Sequence, residues 1–200
     1  MQQFCILLLL LGFALPTPAE SLRDGDLVFQ DSQSSQSQAI QLATQSPYCH
    51  VGMVLHRNGE PWVIEAVQPV IETRLAEWTR RAPGGRYAVR RLERAGEVLT
   101  PGGAGKLRKE AHRYLGRDYD WAFGWSDERI YCSELIWKIY ERALDIRLCE
   151  PARLGSFDLS HPAVRAKLQE RYGNQVPLEE PVVAPSQLFA SKLLVEVTPD

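Results

Sequence analysis

The sequence predicts an α+β fold with a mainly antiparallel sheet packed against helices. Three observations carry this. Strand-like and helix-like runs are mixed, without the regular βαβ alternation of a parallel sheet. Val51–Leu55 and Trp62–Val67 are apolar, β-branched runs flanking Asn58-Gly59, and Asn-Gly between such runs is a strong hairpin signal because both residues tolerate positive φ. Ser133–Leu144 places Leu135, Ile136, Ile139, Tyr140 and Ala143 on one helical face.

Composition agrees. The chain has 200 residues, 44% hydrophobic and 24% charged, the balance of one domain that buries a real core. With 23 basic and 25 acidic residues the net charge is −2, so nothing in the overall charge draws the chain to nucleic acid or an anionic membrane. Phe4–Leu15 is an apolar run of 12, well short of the roughly 20 residues that span a bilayer. Pro16 and the small residues up to Ala19 follow it. This is the layout of a cleaved signal peptide over residues 1–19, leaving residues 20–200 as one exported domain in the periplasm or outside the cell, with no stable transmembrane anchor.

The elements follow in order. Leu27-Val28-Phe29 reads as a strand after the Gly25-Asp26 turn. Gln30–Gln38 is almost wholly Ser and Gln and reads as a surface loop, with Ala39–Thr44 a short helix. After the hairpin, Val70–Thr73 extends the sheet, Leu75–Arg80 is a helical turn and Arg86–Leu92 a strand. Pro101–Gly105 reads as a loop, and Lys106–Leu115 carries apolar residues at helical spacing. Val176–Pro185, with three prolines, is an extended connector; Ser186–Ser191 reads as a short helix and Leu193–Val197 as the last strand.

The hairpin has a chemical consequence. With Asn58-Gly59 as a two-residue turn, Gly52 faces Glu65, and His50 shares their face on a diagonal. Diagonal Cβ atoms lie roughly 7–8 Å apart, within reach of long polar side chains. An imidazole and a carboxylate then meet among apolar neighbours, where buried charge has to be paired. A three-residue loop would turn Glu65 to the other face and remove the pair. The competing reading makes His50 a core histidine and Glu65 a strand end.

Cys132 stands where the 133–144 helix begins. A thiol at a helix N-terminus feels the positive end of the dipole and loses its proton more easily, and a nearby imidazolium strengthens this. Thiol, base and orienting carboxylate are the parts of covalent catalysis. Against this, Cys132 could be a buried structural thiol or be bridged to Cys149, and Cys49 with Cys149 is another bridge, one that leaves Cys132 free.

These residues lie in recognisable segments: Gly25-Asp26-Leu27-Val28-Phe29, Tyr48-Cys49-His50-Val51-Gly52-Met53-Val54, Ile64-Glu65-Ala66, Gly116-Arg117-Asp118-Tyr119-Asp120 and Tyr131-Cys132-Ser133-Glu134-Leu135. The ordered set resembles the YiiX/YebB-like family of permuted papain-like cysteine hydrolases, related to NlpC-type peptidases and lecithin retinol acyltransferases. The resemblance implies a circularly permuted papain-like fold, the histidine strand preceding the cysteine helix. It implies Cys132 as nucleophile, His50 as general base, Glu65 as the residue that orients the ring and, more weakly, Tyr131 beside a developing oxyanion. Asp26 is then a turn residue of the opening strand. Cys49 departs from the small serine common before the family's histidine.

The implied chemistry is acyl transfer without a metal or other cofactor, on a peptide, amide or lipid ester substrate of the cell envelope. Two alternatives stand beside the hydrolase: a lipid acyltransferase of related mechanism, and a non-catalytic envelope binding module in which Cys132 is structural. Other signals carry less. Gly102–Lys106 fails the phosphate-loop pattern, since Thr100 replaces its first glycine and Leu107 its Ser/Thr. The four histidines lack metal-ligand spacing. Seven arginines lie between Arg74 and Arg94; they read as a solvated face or as an attractor for an anionic substrate.

Overall fold

The computed structural model describes residues 21–32 and 34–199. The expected signal peptide, residues 1–19, lies outside them. In chain order the elements are β1 (Leu27–Gln30), α1 (Ser35–Thr44), β2 (His50–Arg57), β3 (Glu60–Glu65), β4 (Ile71–Arg74), α2 (Leu75–Thr79), β5 (Ala88–Leu92), α3 (Ala95–Val98), α4 (Pro101–His112), α5 (Cys132–Leu144), β6 (Ala152–Arg153), α6 (Pro162–Tyr172), β7 (Pro181–Val182), α7 (Pro185–Phe189) and β8 (Leu194–Val197).

Six strands form one sheet in the order β4-β3-β2-β1-β5-β8. Every pairing in it is antiparallel. The hairpin turns at Asn58-Gly59, both at positive φ, and pairs Arg57 with Glu60 and Leu55 with Trp62. Alternation along the strands sends Leu27, Phe29, Val51, Met53 and Leu55 into the main core with Leu135, Ile136, Ile139 and Tyr140 of α5. Val28, Val54, Val63 and Val89 face the other way, around Trp78.

Helix α5 is buried on all sides over its first nine residues, Cys132–Tyr140. Its polar residues there have partners, as burial requires. Ser133 Oγ donates to Val183 O at 2.6 Å. Lys138 Nζ donates to Ser126 O at 2.7 Å and pairs with Glu134 at 2.7 Å.

Three expectations are corrected. The Ser/Gln stretch is not all loop: α1 begins inside it, because Ser34 Oγ accepts the Ser37 N–H at 3.1 Å and caps the helix. The glycine-rich run is not a loop but the first turn of α4, with Pro101 at its start and Thr100 Oγ1 accepting the Gly103 N–H at 3.3 Å. A Cβ on Gly103 would stand 2.0 Å from Val98 O, so glycine there allows a close backbone approach. Asp26 is more than a turn residue: wholly buried, it accepts from Arg91 Nε and Nη2, both at 2.8 Å, across β1 and β5.

The arginine run splits accordingly. Arg91 is buried with Asp26, Arg81 binds Glu65, and Arg74 and Arg94 pair with Glu60 and Glu97. Helix α6, absent from the sequence reading, has almost no apolar stripe; Val164 is its one buried residue.

Candidate active site

His50 opens β2, and Glu65 closes β3. Their register follows from the turn: Met53 opposes Ile64, so Gly52 opposes Glu65 and His50 lies on the diagonal. His50 Nε2 meets Glu65 Oε2 at 2.7 Å. Gly52 has no room for a side chain, since a Cβ would come 2.3 Å from Val63 Cγ1 and 3.0 Å from Ile64 O.

Glu65 has no exposed surface and is saturated with donors. Thr73 Oγ1 donates at 2.6 Å and Trp78 Nε1 at 3.0 Å. Arg81 donates Nη1 at 3.1 Å and Nη2 at 2.8 Å. Burial pushes the Glu65 carboxyl up, but the His50, Thr73 and Arg81 contacts outweigh it and hold the group at about 2. Spacing alone singled out none of these three donors: Thr73 comes from β4, Trp78 from α2 and Arg81 from the segment after it.

Cys132 is the first residue of α5, and the His50 ring acts on its thiol electrostatically. Burial works against the thiolate, but the His50 hydrogen bond and charge and a contact from the Val51 backbone overcome it, so the thiol sits below its ordinary range. Burial likewise works against the imidazolium, and contacts with Cys132 and Glu65 raise His50 to about 10. Each group thus favours the charged form of the other, with the Glu65 carboxylate behind the ring.

The thiols of Cys49, Cys132 and Cys149 are all free, so neither bridge to Cys149 forms. Cys49 is buried, and burial raises its thiol. Tyr131 caps α5, and its hydroxyl accepts the Val183 N–H at 3.0 Å. Tyr119, which the sequence reading did not single out as a site residue, lies nearer the chemistry. Its hydroxyl accepts from Gln36 Nε2 at 3.2 Å, and burial together with the Cys132 charge holds it protonated.

Two cavities meet at this pair. A narrow apolar one, about 90 Å³, is lined by Cys132, Tyr119, Tyr131 and apolar side chains of α1 and α6, such as Ile40 and Leu168. A wider one, about 710 Å³ and more polar than the first, is lined by His50, Cys49, Gln30, Arg81, Lys167, Glu170, Arg171 and the start of α1. His50 keeps 16% of its side chain exposed, enough to reach the wider cavity.

No group of three or more His, Cys, Asp or Glu among the described residues could hold a metal ion.

The order of histidine strand before cysteine helix, around one Cys–His–Glu array, is what a permuted papain-like chain requires. The model of the permuted papain-like amidase family C92, YaeF/YiiX, matches residues 21–198. The chain belongs to this family. It is 48% identical over 192 residues to the uncharacterized protein YiiX of Escherichia coli strain K12, covering 96% of this chain and 94% of that one. The crystal structure of yiiX from Escherichia coli O157:H7, described there as a metalloprotein, superposes with a TM-score of 0.84 at 50% identity over 89% of this chain and 97% of that one. The C92 fold is the expected α+β permuted papain-like architecture, and membership makes the chain a hydrolase-type enzyme of amidase class.

Proposed function

We propose that the protein is an exported thiol hydrolase that cleaves an acyl bond, ester or amide, in the cell envelope through a covalent Cys132 intermediate. The observation that carries this is His50, bonded to Glu65 through Nε2 and coupled electrostatically to the Cys132 thiol, whose proton it loosens. The thiolate attacks the carbonyl carbon. The bond to the leaving atom breaks with its electron pair going to that atom, which takes the proton of the His50 imidazolium. Water, deprotonated by His50, then cleaves the thioester, and the acid and free thiol are regenerated. Glu65 orients the ring and stabilises its charged form. Backbone N–H groups at the start of α5 and the Tyr119 hydroxyl are the donors offered to the oxyanion. The narrow apolar cavity beside Cys132 seats the acyl group.

Export rests on the apolar segment at residues 4–15 and the small residues after it. No helix among the described residues is long and apolar enough to cross a membrane. For a metal, as named for the Escherichia coli O157:H7 relative, the described residues offer no group of three ligating side chains. Transfer of the acyl group to an acceptor other than water is a second reading.

The test is mass spectrometry after brief exposure to 4-nitrophenyl octanoate, with Cys132→Ala as control. An octanoyl group on the Cys132 peptide is the expected result. No adduct there, together with iodoacetamide labelling no faster than that of free glutathione, would overturn the proposal.

A further inference from the structure

Resting on that acyl-hydrolase reading, we propose that the leaving-group half of the substrate carries a carboxylate and that Arg171 selects it. The argument begins with the proton. The leaving atom must be protonated by His50, so it departs on the side His50 faces. His50 lines the wide polar cavity and Cys132 the narrow apolar one. The acyl group therefore lies in the apolar cavity and the leaving group in the polar one.

Besides His50, three basic side chains stand in the wall, Arg81, Lys167 and Arg171, together with the acid Glu170. Two are already neutralised. Arg81 is bound to Glu65 at 2.8 Å. Lys167 is bound to Glu170 at 2.6 Å, which also commits the acid next to Arg171 in the chain. Arg171 has no carboxylate within ion-pair distance among the described residues. Its Nη2 donates to Gln36 Oε1 at 2.7 Å, and its guanidinium lies over the Phe123 ring at 4.5 Å from the centroid. Gln36 is in turn tied to Tyr119 at 3.2 Å.

The guanidinium is thus half-buried, fixed on one side by stacking and on another by one hydrogen bond, with the rest of its five donors open. It lines both cavities, at the junction where the scissile bond must lie. A preorganised fork with open donors and no carboxylate bonded to it fits a planar carboxylate better than a neutral group, although Glu170 lowers its net field. Phe123 and Gln36 act as positioning residues for it.

The experiment compares two octanoyl esters, of 4-hydroxybenzoate and of 4-hydroxybenzamide, with the full chain. They share the acyl group and differ in the charge on the leaving phenol. Wild type should favour the carboxylate by about tenfold in kcat/KM, mainly through KM, the size expected of one charge-assisted contact. Arg171→Gln should bring the ratio close to one, and Arg171→Lys should keep part of it, with circular dichroism confirming that both variants fold. Equal efficiency on the two esters in wild type, or a preference that survives in Arg171→Gln, overturns the inference and leaves the hydrolase reading standing. No Cys132-dependent release of either phenol overturns the hydrolase reading, and this inference falls with it.

Discussion

Arg81 grips both oxygens of Glu65, Nη1 to Oε2 at 3.1 Å and Nη2 to Oε1 at 2.8 Å, while His50 shares Oε2 at 2.7 Å. The carboxylate behind the imidazole is therefore fixed independently of it. Thr73 and Trp78 complete the hold. A ring bonded to such an anchor has one preferred orientation, and from it the ring lowers the Cys132 thiol.

Glu65→Gln should keep much of this geometry and lose the charge. Without it the imidazolium is less stable, so the His50 pKa should fall from about 10 toward its ordinary 6.5. The Cys132 thiol, which depends on that cation, should rise. Ester hydrolysis should drop by about 10²–10⁴-fold, the range seen when a group that assists proton transfer is lost. Iodoacetamide labelling against pH is the check, with its midpoint moving upward. An unchanged midpoint would show that Glu65 does not support the pair.

The same groups set the pH dependence of stability. Glu65 lies at about 2 in the folded chain against an ordinary 4.5. A depressed acid stabilises the fold above its unfolded pKa, so this contribution is complete above about 4.5 and lost as pH falls toward 2. The difference amounts to about 3 kcal/mol, to order of magnitude. His50 is raised from 6.5 to about 10. Its contribution is complete below 6.5 and lost as pH rises through 10. Both describe one shared interaction and do not add. Urea unfolding should therefore show maximal stability at about pH 5–6.5 from this cluster, with an acid limb that flattens in Glu65→Gln.

Asp26→Asn addresses the scaffold. Asp26 is wholly buried, and its partner Arg91 is 5% exposed. Removing the acid leaves the guanidinium buried beside a neutral amide, a change that costs about 3–5 kcal/mol. Thermal unfolding should shift well below wild type. A shift within error would show that the other contacts of Arg91, its hydrogen bond to Ser21 O at 2.9 Å among them, suffice to hold it.

The sequence determined much of this by itself. Asn58-Gly59 set the hairpin, the hairpin set the register, and the register put His50 and Glu65 on one face, because side chains alternate with a strict period of two. Leu135, Ile136, Ile139 and Tyr140 marked the helix that begins at Cys132, and the ordered motifs indicated the C92 family. Local chemistry was misread where capping outranked composition: Ser34 starts a helix in a polar run, and Thr100 with Pro101 starts one in a glycine-rich run. Other features belong to tertiary structure alone. Arg81 reaches Glu65 across 16 residues, Arg171 reaches Gln36 across 135 and Arg91 reaches Asp26 across 65. No periodicity encodes such meetings, because they depend on how separate elements pack. Packing likewise left Arg171 without a carboxylate in ion-pair distance among the described residues, and put Cys132 on one cavity and His50 on the other.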